Sequence, residues 1–413
     1  MAAGWRRADR LIVLAALAAG ILIRLWLLPM PGLEGDLDQF VGWVHHIATR
    51  GLGSLYGVTD AGPVSFGPVM AYVWTAPAAI QPAFATVTDS SDPAVRVLMK
   101  LPATLADFGI AALVAYALRG RPRWAAIGFA AVLLHPVVFY VSAWWGQYDS
   151  IYALSGLGAL LAALNGRNGV AAALVAVAVM TKPQAIPFIV PFAAWFWATG
   201  GVRQVARAAL IGLAVIAVLW IPFLADGGPI GYLDNVRQYS SGVFAIASLR
   251  AWNPWWLLQE AAAGGDFIRD DVAFLGPFAL RHIGYAVTGF FSAAIGLAIA
   301  RDPRPERLIL GLAASVLTFF TFMTQMHERY AYAAVILLLL VLYDRRAYVL
   351  WLVLGAVLAL NLASAAPATA LIQRTLPHSG PIAVVGSIVL TACTIVALWL
   401  ALRRSSSGPS GTA

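Results

Sequence analysis

The stretch FGPVMAYVWTAPAAI, Phe66 to Ile80, decides how this chain is threaded. It is apolar, but it falls short of the about 20 residues a spanning helix needs and holds two prolines, Pro68 and Pro77. If it crossed a bilayer, every later cluster of arginines would change side. We read it as a re-entrant or interfacial helix on the outer face.

Composition calls for the bilayer. Of 413 residues, 61% are hydrophobic and 11% charged, and the mean hydropathy is +0.80, outside the range of soluble domains. The length suits roughly a dozen spanning helices. Hydrophobic runs predict them at about 11–29, 97–118, 124–142, 149–165, 168–181, 184–199, 205–224, 272–300, 308–325, 330–343, 347–364 and 382–402. The N-terminal run MAAGWRRADRLIVLAALAAGILIRLWLLP begins like a signal peptide. However, its apolar part runs from Leu11 to Leu28 and contains Arg24 and Trp26, which predicts an uncleaved first transmembrane helix. The lone Cys393 forms no internal disulfide.

A net charge of +8 fits a nucleic-acid partner in principle, but the cations form no single patch. They punctuate the ends of apolar runs. Arg6, Arg7 and Arg10 are followed at alternate connections by Arg119, Arg121 and Arg123, by Arg167, by Arg203 and Arg207, by Arg301, Arg304 and Arg307, by Arg345 and Arg346, and by Arg403 and Arg404. These are 16 of the 27 basic residues, accompanied by only 4 of the 19 acids, Asp9, Asp302, Glu306 and Asp344. The positive-inside rule then places both termini in the cytoplasm. Residues 33–95 become a first outer loop and 225–271 a second. The domains read as a core module over 1–224, the second outer loop, a C-terminal transmembrane module over 272–402 and a tail over 403–413. No internal repeat shows.

Acids gather where those arginines are missing. GDLDQFVGW, Gly35 to Trp43, supplies Asp36 and Asp38; SAWWGQYDSIYAL supplies Gln147 and Asp149; VMTKPQAIPF supplies Lys182; and TQMHERYAY supplies His327, Glu328 and Arg329. All map to the outer membrane surface. A carboxylate there is a candidate general base, although Asp36 and Asp38 also suit the first turns of an interfacial helix through 41–48. His327, Arg329 and Lys182 are candidate ligands for a phosphate leaving group, with Glu328 fixing one of them; outer-surface anchoring is the plainer reading of each. Trp144, Trp145 and Tyr148 fit an interfacial belt, while Gln147 can orient sugar hydroxyls. The second outer loop offers Asp234, Arg237, Tyr239, Arg250 and Trp252, a polar and aromatic surface suited to sugars or to lipid headgroups. Asp107 lies half a membrane deep in its helix, and Arg24 is its expected partner in a structural ion pair.

Taken in order, GDLDQFVGW, FGP…AY, GQYDS, TKPQ and MHERY resemble the polytopic GT-C glycosyltransferases that use lipid-phosphate sugars. The likeness is greatest to the dolichyl-phosphate-glucose-dependent glucosyltransferases of N-glycan assembly, and TKPQ and MHERY are also typical of bacterial relatives of the second GPI-anchor mannosyltransferase. The resemblance covers about 10–345. Asp38 stands where that family has Glu, and Leu37 where it has an aromatic, so the register rests on Gly35 and Trp43, and Asp36 and Asp38 both remain candidates for the base. The resemblance implies a GT-C fold with about seven shared helices and a variable C-terminal set. It also implies inverting transfer of a hexose, mannose favoured, from a polyprenyl-phosphate sugar to a glycolipid, polysaccharide or protein hydroxyl, with neither metal nor cofactor. Asp36 would then be the base, His327 and Arg329 the phosphate ligands, and Gln147 and Asp149 the lining of the sugar pocket. The Ala, Gly and Arg richness points to a bacterial plasma membrane. The alternative is a multi-spanning secondary transporter, whose buried charges would line a proton or substrate path; a silent membrane scaffold leaves the outward acids and His327 unexplained. Cysteines placed singly at 36 and 327 are expected to react with an impermeant thiol reagent from the same side of the membrane. Labelling from opposite sides would contradict the single-face reading.

Overall fold

In the computed structural model, which describes residues 5–403, the chain is all-α apart from two short strand pairs. In chain order the helices are α1 (Arg7–Leu27), α2 (Glu34–Arg50), α3 (Pro68–Ile80), α4 (Pro93–Ala117), α5 (Pro122–Leu134), α6 (Pro136–Phe139), α7 (Asp149–Leu164), α8 (Asn168–Thr181) and α9 (Ile189–Trp220). There follow α10 (Gly228–Ser241), α11 (Pro254–Ala263), α12 (Leu280–Arg301), α13 (Pro305–Phe322), α14 (Tyr332–Leu338), α15 (Arg345–Ala365), α16 (Ala370–Thr375) and α17 (Pro381–Leu402). The strands are β1 (Ser248–Leu249), β2 (Ala273–Leu275), β3 (Phe278–Ala279) and β4 (Met326–His327). Proline opens α3, α4, α5, α13 and α17, where its missing N–H costs no helical bond.

Each of the twelve expected helices has a helical counterpart, but their lengths differ. Among the described residues seven segments are long and apolar enough to span: Arg7–Leu27, Pro93–Ala117, Pro183–Asp226, Leu280–Arg301, Pro305–Phe322, Arg345–Ala365 and Pro381–Leu402. Pro122–Leu134 and Pro136–Trp145, bent by 41°, add an eighth if taken as one span. The chain is therefore an all-α polytopic integral membrane protein. Pro183–Asp226 holds two of the expected helices, because Gly200 and Gly201 (φ 61°) interrupt the helical backbone. Phe192 and Ala193 before that break and Ala209 and Gly212 after it line one apolar groove against α8, so the chain doubles back there. The helix expected from 272 begins instead at Leu280. Gly276 (φ 57°) and Pro277 turn the preceding residues into the β2–β3 hairpin, since proline has no amide to extend a helix.

Polar segments segregate to the two ends of the bundle. At one end the first and second long loops pack together, with Gln39 Nε2 donating to Tyr239 Oη at 2.8 Å and Asn235 Nδ2 to the Val64 carbonyl at 3.3 Å. At the other end the arginine-rich turns meet. Arg123 reaches Asp9 at 3.5 Å, Arg121 lies over the Tyr343 ring, and Arg307 donates to the carbonyls of Ala401 and Arg403. The tail from Arg404 lies outside the described residues.

The Phe66–Ile80 stretch forms a 13-residue helix, α3, packed on α2. Phe40, Trp43, Phe66, Trp74 and Tyr148 make an aromatic cluster that seals the two together. Trp43 is buried within it and donates Nε1 to the Gly62 carbonyl at 3.0 Å. Gly67 is required sterically: a Cβ there would strike the Met180 backbone, which the Gly67 amide approaches by donating to the Thr181 carbonyl at 3.2 Å.

Arg24 and Asp107 form the expected buried pair, at 2.8 Å. The Arg24 Nη1 atom also donates to Leu133 O, while Asp107 accepts from Ser142 Oγ at 2.6 Å and faces Tyr332 Oη at 3.4 Å. One ion pair thus ties α1, α4, α5, the turn after α6 and the start of α14. Removing one partner leaves an unpaired buried charge, which typically costs about 3–5 kcal/mol, whereas replacing both by apolar residues is often near neutral. Arg24→Leu is therefore expected to lower the thermal stability of the protein in nanodiscs sharply, and Arg24→Leu with Asp107→Leu to lower it less. A double variant less stable than either single one would contradict this.

Candidate functional site

Where the helices stop short, a cavity of about 310 Å³ opens at the loop-bearing end. Its wall includes Asp36, Gln147 and Lys182, one from each of three polar motifs, and His327 and Arg329, both from the fourth. The α2 helix brings Asp36 in from its first turn and also presents Gln39 and Phe40, three and four residues on, which share its face by helical geometry.

Asp36 is held by two donors. Trp145 Nε1 lies 3.0 Å and Gln147 Nε2 2.6 Å from its Oδ2. Among the described residues its Oδ1 has no protein partner. Both donors follow from an unusual backbone: Tyr140–Trp145 is a π-helical turn ended by Gly146 in the left-handed region (φ 90°). Such turns insert an extra residue and recur at functional sites, and glycine is suited to the left-handed position.

Lys182 ends α8 and continues the chain of contacts. Its Nζ is 3.3 Å from Gln147 Oε1 and 2.8 Å from Asp149 Oδ2. Arg329 Nε stands 3.8 Å from the same Asp149 oxygen, and its Nη1 meets Glu328 Oε1 at 2.8 Å. The guanidinium also lies over the Trp145 ring at 5.1 Å. His327 packs edge-on to Phe244 and sits 3.9 Å from Glu328 Oε2. Burial, followed by the charges of Arg329 and Lys182, holds the His327 imidazole well below its ordinary pKa, so at neutral pH it is an uncharged hydrogen-bond partner. Burial likewise raises the Glu328 carboxyl, and Arg329 opposes that shift.

The site is recessed. The helical run 332–341 that follows the His327 loop spans about 15 Å, half of a hydrocarbon core of about 30 Å, and each of its residues is buried. Arg329 is buried, and its charge is met by Glu328 and Asp149, while the neutral His327 is half-buried beside it.

Several expected residues stand elsewhere. Asp38 is turned away from the cavity and accepts from the Ser90 amide at 2.8 Å and from Ser90 Oγ at 2.5 Å, fixing the loop before α4. Asp149 and Glu328 do not line the cavity; both are buried behind it and hold Lys182 and Arg329. The second-loop surface does not form as expected. Trp252 is core, seated where Gly386 of α17 leaves room for its ring. Arg250 sends Nη1 to the Ala365 carbonyl at 3.0 Å, and Arg237 is exposed on α10 outside the cavity wall. Of the residues expected there Tyr239 does reach the cavity wall, and the loop adds Ser240 and Phe244, the Tyr239 and Phe244 rings stacked at 5.1 Å. Gln184, Tyr285 and Gln325 also join the wall. The helical spacing of Gln39 from Asp36 is a signal that finds it in the sequence; Phe244 and Tyr285 carry none.

Compared with known proteins, the chain matches no protein-family model and none of the curated proteins.

Chemically the cavity pairs a carboxylate, one of whose oxygens has no partner among the described residues, with an ammonium, a guanidinium and a neutral imidazole. Burial pushes Lys182 down to about 8, against the pull of Asp149 and with the push of Arg329. It is a cation at pH 7 and loses that charge as the pH rises through about 8. Binding of a phosphate-bearing ligand such as a short-chain polyprenyl phosphate is expected to weaken above pH 8, by roughly tenfold per unit if only the charged lysine binds. Titration calorimetry from pH 6.5 to 9.5 measures this. Lys182→Arg is expected to flatten the profile, and a flat wild-type profile would contradict the role.

Proposed function

We propose that the protein is an integral-membrane glycosyltransferase of the GT-C type. It moves a hexose, mannose favoured, from a polyprenyl-phosphate sugar to an acceptor hydroxyl, with inversion. One observation carries the reading: Asp36 and the phosphate-suited trio Lys182, His327 and Arg329 line the same recessed cavity. The two halves of a displacement reaction, a base and a stabiliser for the departing anion, are then within one volume large enough for a sugar.

In this mechanism Asp36 takes the proton of the acceptor hydroxyl. That oxygen attacks the anomeric carbon, the bond from carbon to phosphate oxygen breaks, and its electron pair leaves on the lipid phosphate. Arg329 and Lys182 balance the negative charge, and His327 supplies a neutral N–H. The proton ends on Asp36 and the lipid phosphate departs as an anion, so no general acid is needed. Trp145 and Gln147 fix the Asp36 carboxylate by one oxygen and leave the other for the proton. Asp38, committed to Ser90, is a structural residue in this account, and the base is assigned to Asp36.

The positive-inside pattern supports placing both termini in the cytoplasm and the cavity on the extracytoplasmic face of a plasma membrane, bacterial by composition. Twelve crossings follow if α7, α8 and the 332–341 run count with the longer helices and the Pro183–Asp226 segment counts twice. The acceptor is a glycolipid, a polysaccharide or a protein; the donor lipid and the bilayer are the other partners.

Transfer from short-chain polyprenyl-phosphate mannose, glucose or arabinose by the protein in nanodiscs tests the reading. Asp36→Asn is expected to reduce turnover by about 10²–10⁴-fold, while Asp38→Asn retains turnover within about tenfold of the wild type. A wild-type protein inert with all three donors that takes up solute into liposomes when an ion gradient drives it would establish the transporter instead.

A further inference from the structure

Among the described residues two non-glycines hold left-handed backbone, Arg250 (φ 61°) and Gln325 (φ 63°). Both border one feature. β1 and β4 pair in parallel with Ser248 opposite Met326 and Leu249 opposite His327, and Arg250 bridges to His327 as well. Gln325 immediately precedes that pairing on one strand and Arg250 immediately follows it on the other. Side chains of this size disfavour the left-handed region, so it persists only where the surroundings impose it, and such strain gathers at functional sites.

The surroundings that impose it are specific. Asp270, fully buried in the second long loop, accepts from Gln325 Nε2 at 3.0 Å and from Thr324 Oγ1 at 2.7 Å with one oxygen, and from Arg281 Nη2 at 2.6 Å with the other. Gln325 is further tied to the Ser240 and Ile246 carbonyls. At the other strained residue Asn361 of α15, also fully buried, brackets Arg250: its Nδ2 donates to the Arg250 carbonyl at 2.8 Å and its Oδ1 accepts from the Trp252 amide at 3.1 Å. Neither Asp270 nor Asn361 lines the cavity.

We propose that Asp270 and Asn361 are positioning residues: each clamps one strained end of the strand pair that carries His327, and together they hold His327 and Arg329 against the cavity. The assignment rests on the reading of those two residues as ligands of the donor phosphate. It gives the second long loop and α15 a task, although α15 lends no side chain to the cavity.

Hydrogen–deuterium exchange on the full-length protein in nanodiscs reads the clamp without any turnover. Asp270→Asn is expected to raise exchange of the amides of 324–330 at least tenfold while those of α4 stay within threefold of wild type, and Asn361→Ala to do the same for 249–252 and 326–328. Adding Gln325→Gly to Asp270→Asn is expected to return 326–330 to within threefold of wild type, because glycine takes φ near 63° without the clamp. A residue needed only for general folding would not be rescued this way. If Asp270→Asn does not fold, Thr324→Val, which removes one bond and spares the carboxylate, is expected to raise the same amides by a smaller factor. In the transfer assay the clamp variants are expected to raise the donor KM at least tenfold. Unchanged exchange at 324–330, or an equal rise throughout α4 without rescue by glycine, would overturn the proposal. An inert wild type with the expected exchange pattern would instead remove the phosphate reading and leave the clamp standing.

Discussion

A lysine and an arginine buried side by side in a membrane protein are tolerable because Asp149 stands between them. Its Oδ2 is 2.8 Å from Lys182 Nζ and 3.8 Å from Arg329 Nε, and Glu328 takes the far side of the guanidinium. Each isolated ion would cost several kcal/mol to bury; alternating in sign, the four neutralise one another. Asp149 acts as a partner to the cations and leaves the cavity wall to Gln147, which links Lys182 to Asp36 through its two amide ends.

That arrangement depends on helices that end early. At 1.5 Å per residue, α7, α8 and the 332–341 run reach about 24, 21 and 15 Å, less than the about 30 Å core. The recess left above them is filled by irregular backbone: the turn at Gly146, the 3₁₀ run Pro183–Phe188 and the strand pair β1–β4. Non-helical backbone at membrane depth is tolerated where protein or an aqueous cavity receives it. Polar groups therefore fall at helix ends, where the free backbone donors and acceptors are.

The sequence carried the parts governed by periodicity and by charge. Runs of apolar residues located the helices, arginines at alternate connections matched the clustering of Arg121, Arg123, Arg307 and Arg403 at one end, and Arg24 met Asp107 at the depth their positions implied. Long-range packing was beyond that reach. Nothing local shows that Asp38 binds Ser90 or that Trp252 enters a space left by Gly386, since both partners lie tens of residues or more away. The shift of α12 to Leu280 was legible in Gly276-Pro277, two turn-forming residues inside an apolar run. The left-handed Arg250 and Gln325 carry no glycine to announce them, so the clamp on the His327 strand appears only in three dimensions.

The central claim is that one cavity binds the lipid phosphate and presents the anomeric carbon to Asp36. Its most direct measurement is a cryo-electron microscopy structure of the protein in nanodiscs with a short-chain polyprenyl-phosphonate mannose, which cannot release its sugar. The account predicts the phosphonate within hydrogen-bonding distance of Arg329 and of Lys182 or His327, and the anomeric carbon on the Asp36 side of the cavity. A phosphonate bound elsewhere, or a sugar turned away from Asp36 with its hydroxyls on Asp38, would contradict it.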